Sequence, residues 1–199
     1  LIFNGADDDG SGTVAAMEIA EAFMLAKKAG QGPRRSVLVM AVSGEEKGLL
    51  GSKYYTDHPI YPLEKTVANL NIDMIGRIGD FKDNPNYVYL IGADRLSQEL
   101  HDINEQVYKE HIGLELDYKF NEEDDPNRYY YRSDHYNFAK NNIPVIFYFN
   151  GIHEDYHKVT DTVEKIDFVK IQKITRLIFL TAWELANREE RIVVDKIEN

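Results

Sequence analysis

The sequence predicts an α/β sandwich built on a largely parallel sheet, in one domain over residues 1–199. Three observations point there. Short apolar runs alternate with helix-period segments along the chain, the order that wraps helices around a parallel sheet. No internal repeat divides it. At 199 residues and 43% apolar composition, the chain can bury one core but not comfortably two.

Each element follows from a local pattern. In "SGTVAAMEIAEAFMLAKKAG" the residues Val14, Met17, Ile19, Ala20, Phe23 and Leu25 largely share a face. Ser11 or Thr13 serves as N-cap, and Gly30 lies past a basic last turn, so the segment reads as an amphipathic helix. Strands are expected over 36–42, 66–75, 87–91, 114–120 and 144–149. Helices are expected over 95–111, 134–141 and 167–190. The biased stretch "NEEDDPNRYYYRSDHYNF" reads as a surface loop.

Composition narrows the function. A net charge of −11 repels nucleic acid and anionic membrane surfaces and favours cationic visitors, metal ions and protonated amines among them. With no cysteine, disulfides and thiolate metal sites are excluded, so any metal is held by Asp, Glu and His. No apolar run approaches the roughly 20 residues of a membrane span.

Acidic residues gather where strands end, which is where open α/β sheets bind ligands. Glu45 and Glu46 follow the expected strand 36–42, and Asp73 lies late in "VANLNIDMIG". "GIHEDYH" follows "PVIFYF", and "GADDDGSG" precedes the first helix. Taken singly, each has a bland reading: a helix-start acid cap, a solvated pair, an exposed histidine. Asp73 resists that reading, because an acid flanked by Ile72, Met74 and Ile75 is buried and needs a partner. Together the carboxylates repel, and a divalent cation reverses the balance; oxygen and imidazole donors suit zinc, manganese or cobalt.

The series "GADDDGSGT", "SGEEKGLLGS", "NIDMIG", "RSDHYNFAKNNIPVIFY" and "EDYHKVTDT", in that order, resembles the M28 family of zinc aminopeptidases, exopeptidases with co-catalytic zinc. The resemblance implies a mixed, twisted sheet between helices, the zinc-exopeptidase (phosphorylase/hydrolase-like) fold. It implies that Asp8 bridges two Zn2+ ions, that Glu46 and His157 complete one site, and that Asp73 serves the other. Glu45 resembles the general base acting on metal-activated water, and Tyr156 the phenol that helps hold the oxyanion. A peptide substrate and a secreted or periplasmic location come with the family.

One motif of the family is not among these: its His-x-Asp segment lies upstream of the bridging aspartate, and the sequence is given from Leu1, seven residues before Asp8. The resemblance therefore implies a chain lacking the N-terminal part of the family domain, weakly active or inactive. Asp8, Glu46 and His157 would hold one zinc firmly, while Asp73 keeps an incomplete site unless His135, His153 or a neighbouring molecule supplies nitrogen. A sheet edge left exposed by the missing strands invites a homodimer. In "RSDH", three consecutive residues do not form a triad; Ser133 reads as an N-cap and Asp134 as a group behind the ligands. The alternatives are a glutaminyl cyclase-like enzyme with one zinc, and a binding domain of the same fold with impaired catalysis.

Overall fold

The computed structural model describes residues 3–111 and 113–196. Its sheet has four strands: β1 (Asn69–Ile72), β2 (Tyr87–Ile91), β3 (Glu115–Asp117) and β4 (Val145–Phe149), in the order β1-β4-β2-β3. β1 with β4 and β2 with β3 are parallel, whereas β2 and β4 are antiparallel. The sheet is therefore mixed and mostly parallel.

Strand alternation divides the core in two. Val88 and Leu90 of β2, with Ile146 and Tyr148 of β4, face one layer of helices. That layer comprises α1 (Gly10–Lys28), α3 (Gln98–His111) and α5 (Phe168–Asn187). Tyr87, Tyr89 and Ile91, with Val145, Phe147 and Phe149, face the other side, where Phe120, Tyr129, Tyr130 and Phe138 pack. The short helices α2 (Leu50–Asp57) and α4 (His135–Ala139) lie on this second face. "NRYYYR", read from sequence as surface loop, thus buries Tyr129 and Tyr130 as core.

Several boundaries differ from expectation. Residues 36–42 pair with no strand among the described residues: Val37, Leu38 and Val39 are all 38–45% exposed, without the alternation of a half-buried strand. Their entry is tied to the end of α5 instead, by Arg35 N–H to the Ala186 carbonyl at 2.9 Å and its guanidinium to Leu185 and Glu189 carbonyls. The helix α1 is capped by Asp9, which accepts from Gly12 N–H at 2.9 Å, not by Ser11 or Thr13. Ser11 turns inward, donating to the Asp7 carbonyl and accepting from Ile75 N–H. α2 was not anticipated, because its apolar residues are few and Leu50 and Tyr54 stay exposed.

Candidate metal centre

Three loops carry the centre. The turn before α1 brings Asp8 to the helix N-terminus, where the aligned peptide dipoles favour negative charge. A single turn of 3-10 helix, Glu45–Lys47, holds Glu45 and Glu46 between Gly44 and Gly48, both at positive φ. The loop after β4 brings Tyr156 and His157. His157 itself has φ +56° and Met74, beside Asp73, φ +55°, left-handed values uncommon outside glycine that tend to persist where a site needs them.

These loops converge. One ligand atom each from Asp8, Glu46 and His157 lie within 4.8 Å of one another. His157 Nε2 is 3.1 Å from Asp8 Oδ2 and 2.6 Å from Glu46 Oε1. A tetrahedral ion with bonds of about 2.0–2.2 Å sets its ligand atoms roughly 3.3–3.6 Å apart, so the donor set fits zinc after small adjustments.

Asp73 is outside that triad. Its Oδ2 accepts from Ser133 Oγ at 2.7 Å, and Ser133 in turn accepts from Asn71 Nδ2 at 2.9 Å. Its Oδ1 is buried without a hydrogen-bond partner among the described residues, an unmet demand for a cation or a proton. Ser133, expected as an N-cap, makes no cap bond; it fixes Asp73 instead. Asp134 accepts from Ser52 Oγ. His135 and His153 do not join the triad: His135 stacks on Phe147 in the core, and His153 faces Asp7.

The electrostatics report a site short of positive charge. Burial, then Glu46, Asp161 and Asp7, push the Asp8 carboxyl up to about 7. Burial, then Asp73, Glu46, Asp134 and Asp8, push Glu45 up to about 8. Asp73 is raised by burial against the Ser133 hydrogen bond, and Asp9 by burial and by Asp73. Tyr156 is pushed up to about 12 by burial, Asp8 and Glu46, so its phenol keeps its proton at neutral pH. Asp73 and Asp9 are half-buried neighbours, and the charge on Asp73 raises the cost of ionising Asp9.

The family model "Peptidase family M28" matches residues 2–182. The chain belongs to peptidase family M28. It is 33% identical over 163 residues to Leupeptin-inactivating enzyme 1 of Streptomyces exfoliatus, an alignment covering 81% of this chain and 32% of that protein. Its fold resembles BSAP, a zinc aminopeptidase from Bacillus subtilis, with TM-score 0.69 and 23% identity over 99% of this chain and 46% of that one. It also resembles glutaminyl cyclase from Porphyromonas gingivalis, with TM-score 0.59 and 20% identity over 90% of this chain and 63% of that one. This M28 chain spans about a third of the Streptomyces protein and just under half of BSAP.

Sequence reasoning singled out Asp8, Glu46 and His157, which converge, and weighed His153 as a nitrogen donor, but it did not show which groups hold the ligands in place. Asp7, Asp9, Asp161 and His153 lie inside the quoted motifs, yet their contacts depend on which loops meet, and residue type does not disclose that.

Proposed function

We propose that this M28 peptidase chain is a zinc-dependent aminopeptidase domain that removes residues from the N-termini of peptides. The observation that carries the reading is the convergence of Asp8, Glu46 and His157 from three distant segments, with carboxylates beside them held above their usual range. Such a cluster is costly without a cation and favourable with one.

Asp8, Glu46 and His157 would hold the first ion, and Asp73, with its free oxygen, would contribute to a second. A bound zinc ion supplies Lewis-acid polarisation of the scissile carbonyl and makes water acidic. Glu45, adjacent to a ligand and outside the triad, acts as general base and passes the proton to the leaving amine. Tyr156, protonated at neutral pH, donates to the developing oxyanion. The surrounding carboxylates attract the substrate's α-ammonium.

The deciding experiment incubates the zinc-loaded protein with short peptides and follows free amino acids by chromatography. Stepwise release from the N-terminus, abolished by chelator and restored by zinc, is expected. Release from the C-terminus, or activity indifferent to chelator, sinks the assignment. A glutaminyl cyclase-like reaction is favoured by one observation: among the described residues a single Asp–Glu–His triad comes together. A peptide with N-terminal glutamine separates the two, since cyclisation releases ammonia and no amino acid. Secretion, and a homodimer through the β1 edge, belong to the same reading; sedimentation showing only a 23.0 kDa species at high concentration removes the dimer.

A further inference from the structure

Behind the triad lies a second layer of buried polar groups. Asp7 is fully buried and His153 is 5% exposed. The Asp155 N–H points at His153 Nδ1 from 3.3 Å, so that nitrogen is the acceptor and the ring proton sits on Nε2. Nε2 lies 3.1 Å from Asp7 Oδ2 and donates to it. The other oxygen, Oδ1, accepts from Gly76 N–H at 2.6 Å. A Cβ at position 76 would sit 2.8 Å from that oxygen, so glycine is what lets the carboxylate come so close. Asp161 closes the arrangement, accepting from the backbone N–H groups of Asp7, at 3.0 and 3.1 Å, and of Asp8, at 3.2 Å.

The bonds made by Asp7 and by Asp161 join one ligand-bearing loop to another. Asp7 precedes Asp8, Gly76 follows Asp73 by three residues, and His153 opens the loop that reaches His157. We propose that His153 is a positioning residue: its Nε2–H, anchored on Asp7, sets the spacing between the Asp8 turn and the His157 loop, and so the affinity of the triad for a metal ion. The inference rests on the reading of Asp8, Glu46 and His157 as metal ligands. Neither His153 nor Asp7 offers an atom to the triad. His153 acts by fixing where ligands stand before the ion arrives, and groups that orient ligands typically govern affinity about 10–100-fold.

The test uses three variants, zinc competition against a chromophoric chelator, and the visible spectrum of the cobalt(II)-loaded protein. His153→Leu fills similar volume but donates nothing. His153→Gln keeps an amide donor at the Nε2 position. Asp7→Asn keeps the Gly76 bond but turns an amide donor toward the Nε2–H, so two donors face each other. Zinc binding about tenfold weaker or more is expected for His153→Leu and Asp7→Asn, with altered cobalt bands and the His153→Gln protein within about threefold of the parent. Parent affinity and parent cobalt bands in His153→Leu overturn the proposal. So does a His153→Gln protein as weak as His153→Leu, which would show that the ring and not its donation matters. If His153→Leu gives no cooperative melt, Asp7→Asn decides by the same criterion. Failure of the parent protein to bind zinc at all removes the triad reading itself, an outcome distinct from all of these.

Discussion

On the proposed reading, vicinal glutamates on one 3-10 turn divide two tasks. Glu46 lies within the triad and Glu45 outside it, so a carboxylate lost at each position has a different result. Glu45→Gln keeps the shape and removes the base: zinc affinity within a few-fold of the parent and turnover lowered about 10²–10⁴-fold are expected, checked by metal analysis alongside peptide hydrolysis. Loss of zinc together with activity would place Glu45 among the ligands. At this scale the sequence was legible wherever an acid interrupts an apolar run, as at Asp73, because burial forces a partner on it. It was illegible for Ser133, whose type equally suits a cap; only the meeting of residues 71, 73 and 133 makes it the group that holds Asp73.

Elements place these residues, and two buried polar side chains fasten elements to the sheet. His135 of α4 is fully buried against Phe147, its ring 4.6 Å away, and burial lowers it to about 3. In the unfolded chain it protonates near 6.5, so between those values the unfolded state binds the extra proton and stability falls as pH falls. The loss begins near pH 6.5 and reaches at most about 5 kcal/mol near pH 3, at about 1.4 kcal/mol per unit. His135→Phe keeps the stack and cannot protonate; its acid-unfolding midpoint should lie lower by about half a pH unit or more, read by circular dichroism. An unchanged midpoint means other groups govern acid unfolding.

Lys170 of α5 does the matching work on the opposite face. Its ammonium, 2% exposed as a residue, donates to the Pro85 carbonyl at 2.7 Å and the Tyr87 carbonyl at 2.8 Å and sits over the Tyr87 ring. Burial draws it well below the usual lysine range. Lys170→Met removes both bonds at the start of β2, leaving the Pro85 carbonyl only the bond from Tyr87 N–H, and should cost about 1–3 kcal/mol in urea unfolding. The helical period of residues 167–190 predicted α5, but a lysine on its buried side contradicts that period and takes its reason only from β2.

At the scale of the whole molecule, alternation of strands and helices was enough to read the architecture, whereas strand pairing was not. Residues 36–42 carry a strand's composition yet gain no partner among the described residues, and the run 66–75 supplies only four residues of ladder, because a strand is defined by the backbone beside it. The same dependence on distant partners governs the metal centre, which ties the start of the chain to residues near 46 and 157. An ion bound there links segments that unfolding separates, so it stabilises the folded state alone. At a zinc concentration about 100 times Kd the gain is about 2.7 kcal/mol. For a chain of this size that corresponds to a rise in Tm of about 5–10 °C. Magnesium, which favours all-oxygen shells and keeps its waters, should leave Tm nearly unchanged, because one of the three donors is imidazole. His157→Ala should abolish the zinc shift while leaving the metal-free Tm close to the parent's, since this side chain is 43% exposed and bonds within the triad. A zinc shift that survives in His157→Ala would put the ion elsewhere on this acidic surface, where a net charge of −11 offers many weak sites, and would detach the stabilisation from the triad.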